Sequence, residues 1–200
     1  MFQHIWEPFH VKEQIRIIDM FSFFQFHYAA SYTFSGETHN FWECLYVMSG
    51  QVCVSADERV YHLQSGEIIF HKPMELHKFT ITSSEGADLL VFSFAAEGEL
   101  TVWLKNKVFK LSEHQIGILN TLMTYMNTQP AAGEAPFHSL QYLAPYQHIP
   151  NYLQTVITYL YQLFLSLASE ASLSVSSTAP DAILFQKAIT YLNNNLSGSP

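Results

Sequence analysis

The first half of the chain carries a hydrophobic pattern that is typical of β-strands. Residues 14–34 are dense in aromatic and branched side chains with no helical period, which predicts strands buried on both faces. From Phe41 to Met48, apolar residues occupy both alternating sets of positions, so this strand is also expected to have two buried faces. Further strands are predicted at 51–63 (as a hairpin), 68–70, 78–82 and 88–94.

Helical spacing replaces the strand pattern after about residue 100. Apolar residues recur every three or four positions within 111–127, and Ser112 with Gln115 has the form of a capping box at the start of this helix. A second helix is predicted at 150–168, with Pro150 in its first turn. This helix is too apolar to face water alone, which leaves two alternatives: burial within the protein or pairing with a second subunit.

The remaining segments complete the expected domain organisation. The stretch 170–180 is rich in Ser and lacks periodicity, which predicts a linker. One more helix is predicted from Asp181 onward. We therefore expect a strand-rich domain at 1–100, a helical region at 101–169, the linker, and the start of a further domain at 181–200.

Composition limits the classes of function that remain. Of the 200 residues, 48% are hydrophobic, which is enough for one domain with a sizeable core. The net charge of −8 and the nine scattered Lys and Arg residues argue against a nucleic-acid-binding surface on this chain. Cys44 and Cys53 have neither the number nor the spacing of a disulfide framework, and we find no leader or membrane-spanning pattern. A soluble, cytoplasmic protein without membrane contact is expected.

Two short motifs carry the candidate chemistry. In the first, His39 precedes Glu43 by four residues, and six residues separate Glu43 from Gly50. In the second, Gly66 lies eleven residues before His77. Their order and spacing resemble the paired motifs of cupin proteins. This resemblance implies a mainly β fold with added helices, in which the strands form a cupin-like barrel, also called a jelly roll or double-stranded β-helix.

The order of the elements carries a more specific resemblance. A cupin-like barrel, two helices, a linker and the segment Phe185–Asn195 together resemble the effector-binding half of AraC/XylS-type transcription regulators. The resemblance implies a domain that binds a small-molecule effector and has no enzymatic activity. It also implies a homodimer through helices 111–127 and 150–168. Contact with DNA would then be made by a C-terminal domain that begins at 181–200 and is otherwise absent from this sequence.

The resemblance implies that the effector binds inside the barrel. Aromatic rings beside a carboxylate suit a sugar or another polyhydroxylated metabolite, while the same surface fits an aromatic acid or amine. Residues 1–12 are interpreted either as an arm over this pocket or as a packed first strand. If the alternation is shifted by one, Trp42 and Tyr46 face inward instead of their neighbours. The side chains assigned to the inward face are His39, Phe41, Glu43, Leu45, His77 and Phe79.

A metal site is the alternative for the same motifs. His39, Glu43 and His77 could bind iron, manganese or zinc, as in a metal-dependent cupin enzyme of the dioxygenase or isomerase type. The resemblance to metal-binding cupins is incomplete, because Glu37 stands in place of the first His and the second motif lacks its usual Gly near Glu75. The sequence therefore favours no metal, no cofactor and no catalytic residue, with Glu43 paired to a histidine as a structural contact.

Two narrower expectations follow from these interpretations. His71 is interpreted as a satisfied polar residue that points outward into the loop rather than as a ligand. A charged residue in place of Leu160 or Phe164 is expected to abolish the dimer without unfolding the barrel.

Overall fold

The structure is a computed structural model that describes residues 7–128, 143 and 146–169. The strands in this part of the chain are β1 (Arg16–Tyr28), β2 (Thr33–Glu37), β3 (Trp42–Ser49), β4 (Gln51–Ala56), β5 (Arg59–Gln64), β6 (Glu67–His71), β7 (His77–Ile81), β8 (Ala87–Glu97) and β9 (Val108–Lys110). The helices are α1 (Glu99–Leu104), α2 (Glu113–Asn127) and α3 (Tyr152–Ser169). The predicted linker and the predicted last helix lie outside the described residues, as do residues 1–6.

The nine strands form two antiparallel sheets. One has five strands in the order β1-β8-β3-β6-β9, and the other has four strands in the order β2-β7-β4-β5. Successive strands of the chain therefore alternate between the sheets, except that β4 and β5 both lie in the smaller sheet and β8 and β9 both lie in the larger one. This arrangement confirms a mainly β fold with added helices. Closure of the two sheets into a barrel stays a prediction.

Strand β3 of the larger sheet is buried on both faces, as its hydrophobic pattern predicts. The same prediction is wrong for residues 14–34, where only Ile15, Ile17 and Phe23 are buried, because β1 and β2 lie at sheet edges. Leu45 and Val47 of β3 belong to an apolar cluster shared by the two sheets. Trp42, Cys44 and Tyr46 of the same strand belong to a second cluster, which includes the helices. The predicted inward parity of β3 is therefore confirmed, and the alternative that turns Trp42 and Tyr46 inward is wrong.

The β1 strand contains two irregularities that its sequence pattern does not reveal. Its pairing with β8 shifts between Ile17 and Asp19 and again between Met20 and Ser22. The skipped residues, Ile18 and Phe21, are 52% and 39% exposed. Such bulges bend a strand and redirect a side chain.

Helix α2 begins as the sequence predicts. The backbone N–H of Ser112 donates to the side chain of Gln115, and the backbone N–H of Gln115 donates to the Ser112 hydroxyl, which completes a capping box. None of the helices in the described part of the chain combines the length and apolarity needed to cross a membrane. Before β1, residues 7–13 lie on the surface, and Phe9 and Val11 are 92% and 86% exposed. This part of the N-terminal segment is therefore not a packed strand.

Helix α3 packs against the larger sheet of its own chain. Leu160 and Phe164 are fully buried, and the ring of Phe164 contacts those of Phe70, Phe92 and Phe94 at centroid distances of 5.6, 6.4 and 5.1 Å. Burial within the protein is thus the correct alternative for this face of the helix. The expectation that a charge at Leu160 or Phe164 abolishes the dimer without unfolding the barrel is wrong. Both side chains are buried within one chain, so a charge there destabilises its core.

Truncation at this contact provides a direct test of the fold. We expect Leu160→Ala to lower the free energy of unfolding by about 2–5 kcal/mol, because it leaves a cavity between helix and sheet. Val102 is 65% exposed on α1, so Val102→Ala should change this free energy by no more than about 0.5 kcal/mol. Urea denaturation of both variants measures the difference. Equal effects at the two positions would contradict the packing described here.

Candidate ligand-binding site

Four polar side chains from both sheets converge at one end of the space between them. Glu37 ends β2 directly opposite His77, the first residue of β7, and Glu43 lies on β3. His39 belongs to the connection between β2 and β3. One donor atom from each of these residues lies within 4.8 Å of the others. The sequence motifs predicted the proximity of His39, Glu43 and His77, whereas Glu37 was noted only as a departure from the cupin pattern.

Glycine lets β2 approach β7 closely at this point. Gly36 has a φ of 103°, and a Cβ built on it would lie 2.9 Å from the carbonyl oxygen of His77. A side chain at this position would therefore force the two strands apart. The close approach brings Glu37 Oε1 to 3.8 Å from His77 Nε2.

Backbone carbonyls fix the orientation of both histidine rings. Nδ1 of His39 lies 3.0 Å from the carbonyl oxygen of Phe41, and Nδ1 of His77 lies 3.1 Å from that of Glu75. A carbonyl oxygen can only accept, so both Nδ1 atoms carry a hydrogen. The two Nε2 atoms therefore face Glu43, at 3.6 Å for His39 and 3.2 Å for His77. Both are buried, and neither makes a hydrogen bond of ordinary geometry.

The site holds its central carboxylate in the charged form. Burial raises the pKa of Glu43, but the contacts with His39 and His77 outweigh burial and bring it down to about 2. Burial lowers the pKa of His77, but Glu37 and Glu43 outweigh it and raise the pKa to about 10. At neutral pH the pair is thus a carboxylate beside an imidazolium. This pairing agrees with the sequence-based interpretation in which Glu43 makes a structural contact with a histidine.

A row of polar side chains extends from Glu43 across the larger sheet. Glu43 is in register with His71 of β6 and with Ser93 of β8, and Ser93 is in register with Ser22 of β1, whose hydroxyl bonds to its own. Cross-strand partners share a face, so all four point into the space between the sheets. One row further along, Leu45 is in register with apolar residues only. Sequence reasoning missed the two serines because cross-strand register cannot be read from local patterns.

Aromatic rings border the polar end. Phe41 stacks on His39 at a centroid distance of 3.9 Å, and Phe21 stacks on Phe41 at 4.1 Å. On β7, Phe79 has the same parity as His77 and contacts the edge of Tyr28 at 5.2 Å. Burial, with the charges of Tyr32 and Glu43, raises the pKa of Tyr28 to about 12. Of the six predicted inward residues, His39, Glu43 and His77 converge and Phe41 stacks on His39, while Leu45 and Phe79 belong to the adjoining apolar cluster.

The expectation that His71 points outward into the loop is wrong. It is 1% exposed and its ring stacks on that of His77 at a centroid distance of 4.4 Å. Its Nδ1 donates to Glu75 at 2.9 Å, so the expectation of a satisfied polar residue is correct. Burial, opposed by Glu75, lowers the pKa of His71 and keeps the ring neutral. His71 thus adds a third imidazole beside the site.

Several solved cupin structures resemble this chain at low similarity. The cupin domain of Schizosaccharomyces pombe Cnp3 has 9% identity and a TM-score of 0.35, over 43% of this chain and 68% of that domain. A Thermotoga maritima protein described as a predicted oxalate decarboxylase has 15% identity and a TM-score of 0.35, over 36% and 64%. A cupin 2 conserved barrel domain protein from Salinispora arenicola has 14% identity and a TM-score of 0.33, over 34% and 58%. The chain spans less than two thirds of the last two proteins.

A family match covers the strands that build the site. No curated protein sequence matches the chain significantly. The family model of the AraC-like ligand binding domain matches residues 22–105. This range includes the polar row, both histidine motifs and the aromatic border except Phe21. Residues 22–105 are therefore similar in sequence to AraC-like ligand binding domains.

Proposed function

We propose that this chain is the effector-sensing part of an AraC-type transcription regulator and that it binds a small molecule between its two sheets. The supporting observation is the convergence of Glu37, His39, Glu43 and His77 with aromatic rings at one end of a ligand-binding domain. Pockets that bind small molecules combine apolar walls with a few placed polar groups. The role proposed is regulatory rather than enzymatic, and its location is the cytoplasm.

A sugar or another polyhydroxylated compound is the effector class we propose. Carboxylates and imidazoles bond to hydroxyl groups, and the Ser22–Ser93 pair adds two more hydroxyls to the same row. The faces of Phe41 and Phe79 suit the CH groups of such a ligand. The negative charge contributed by Glu37 and Glu43 disfavours an anionic effector.

Ligand-dependent stability tests the sensing proposal. In the presence of a chelator, we expect one class in a panel of sugars, polyols, amines and aromatic acids to stabilise the protein, by about 2.7 kcal/mol at roughly 100 times Kd. Glu43→Gln should abolish this stabilisation, because it removes the central charge of the site. Glu58→Gln, on the exposed turn between β4 and β5, is the matched control and should leave it unchanged. A panel without any stabilising compound would argue against sensing.

The proposal assigns contact with DNA to a further C-terminal domain. The acidic balance of this chain and its nine Lys and Arg residues support that division of labour. Effector binding shifts the equilibrium between two arrangements of the regulator only by its differential affinity for them. The predicted linker, 170–180, and the predicted start of that domain, 181–200, lie outside the described residues.

We also propose that the regulator forms a homodimer through α2 and α3. Beside its buried face, α3 carries a second apolar stripe of residues spaced by four, none of them fully buried. These are Leu153, Ile157, Tyr161 and Leu165. The exposed face of α2 adds a polar surface in which Gly117 leaves open space. Two identical faces of this kind are compatible with a two-fold interface.

A charge at Leu165, the exposed member of this stripe, tests the dimer. We expect Leu165→Glu to convert a dimer into monomers, since a carboxylate would be desolvated at the interface. Sedimentation velocity measures the oligomeric state, and an unchanged far-UV circular dichroism spectrum verifies the fold. Gln162→Glu adds the same charge at an exposed polar position of α3 and should leave the dimer intact. A wild-type protein that sediments as a monomer at all concentrations would refute the dimer.

A metal site is the second candidate, and the orientation of the histidines favours it. Hydrogen bonds from Nδ1 to a backbone carbonyl are the usual arrangement of metal-binding histidines, because they leave Nε2 available as a ligand. The donor set of two imidazoles and two carboxylates, His39, His77, Glu37 and Glu43, fits iron, manganese or zinc. A bound ion would supply Lewis-acid chemistry, as the alternative of a cupin enzyme of dioxygenase or isomerase type requires.

Proton competition gives the metal proposal a distinctive signature. The pKa of His77 is about 10 without metal, so an ion must displace a proton from this ring at neutral pH. The apparent Mn²⁺ affinity should therefore rise by about tenfold per pH unit between pH ~6.5 and ~9. Calorimetry measures this slope, and His77→Gln should abolish binding. Metal-free purified protein that also fails to bind Mn²⁺ or Zn²⁺ would leave the organic effector as the proposal.

A further inference from the structure

The connection between β6 and β7, residues 72–76, joins the two stacked histidines of the site. His71 precedes it and His77 follows it. Its backbone bonds to two other connections at the same end of the sheets. The N–H of Met74 donates to the carbonyl of His39 at 2.7 Å, and the N–H of Asp57, in the turn between β4 and β5, donates to the carbonyl of Leu76 at 2.8 Å.

Glu75 orients both rings from the middle of this connection. Its carbonyl oxygen accepts from Nδ1 of His77 at 3.1 Å, and its carboxylate accepts from Nδ1 of His71 at 2.9 Å. The side chain is 3% exposed, so it cannot be oriented by water. One residue therefore sets the direction of two imidazoles through two different groups.

Lys72 and Asp57 hold Glu75 in this position. The ammonium group of Lys72 donates to the Glu75 carboxylate and, at 2.8 Å, to Oδ2 of Asp57. Oδ1 of Asp57 in turn accepts from the N–H of Leu76 at 3.0 Å. Burial raises the pKa of Glu75, but His71 and Lys72 outweigh burial and lower it, which keeps the carboxylate charged. Ion pairs thus hold the connection at Lys72, and backbone hydrogen bonds hold it at its other end.

Burying the Glu75 carboxylate costs more than burying an apolar side chain of the same size, so stability alone is a poor explanation for it. The backbone also adopts a left-handed conformation at Met74, with φ of 65°, which a residue other than glycine enters only at a cost. Both energetic costs lie within residues 72–76, the connection that joins His71 to His77. Second-layer contacts that orient a histidine are the usual reason for such an arrangement.

We propose that Glu75 is the positioning residue of the candidate site and that the Lys72–Asp57 pair anchors it. The inference rests on the proposed function, since it assigns Glu75 a role toward whatever binds at His77. The orientation of the His77 ring nevertheless exists without any ligand. It can therefore be measured even if the proposed effector and the proposed metal both prove wrong.

The Nδ1–H proton of His77 reports this positioning directly. Held by the Glu75 carbonyl in a buried site, it should give a slowly exchanging ring N–H resonance in ¹H–¹⁵N spectra, assigned by its loss in His77→Gln. We expect Lys72→Met to speed its exchange with water several-fold or to abolish the resonance. Lys72→Arg, which keeps the charge that binds Asp57, should restore it.

Two controls separate positioning from stability. Lys12→Met removes the exposed ion pair between Lys12 and Glu99 and should leave the His77 resonance unchanged. The melting temperature of each variant is measured in parallel. If Lys72→Met lowers the melting temperature while the resonance keeps its exchange rate, the network is merely structural and the proposal is overturned. Glu75→Gln is a second test, and Lys72→Met alone decides the outcome if that variant does not fold.

Discussion

A carboxylate buried between two sheets must be paired, and this requirement organises one whole end of the domain. The Glu43 side chain is only 13% exposed, and of the two histidines that approach it, His39 lies in the β2–β3 connection and His77 begins β7 of the smaller sheet. Their rings are oriented by the carbonyls of Phe41 and Glu75, so their orientation depends on the path of the backbone. The charge of one side chain thereby constrains two connections of the fold.

The same strands that build the site also carry the contact with the helices. On β8, Ser93 faces the polar row, while Phe92 and Phe94 on the opposite face contact Phe164 of α3. A packed core does not deform continuously, so a change of the strand on one face is felt by the helix on the other. This geometry offers the proposed sensor a short physical route from the effector to the helices. The route is a hypothesis until coupling between the two faces is measured.

Sequence patterns predicted the fold class, the parity of β3 and the convergence of His39, Glu43 and His77. Those features depend on local alternation and on motif spacing, which a single chain displays directly. The sequence could not predict that Glu37 and Ser93 also belong to the candidate site, because their position depends on which strands pair and in which register. The short α1 and β9 were also missed, since elements of six and three residues leave too little periodicity to recognise.

The irregular pairing of β1 has a consequence for how the protein behaves in concentrated solution. A strand of 13 residues at the open edge of a sheet is a template onto which another chain could add. The shifts at Ile18 and Phe21 interrupt the regular spacing of hydrogen-bonding groups along that edge. A foreign strand would meet matching donors and acceptors over only a few residues before losing register. The bulges thus help to protect a long, aromatic edge from aggregation.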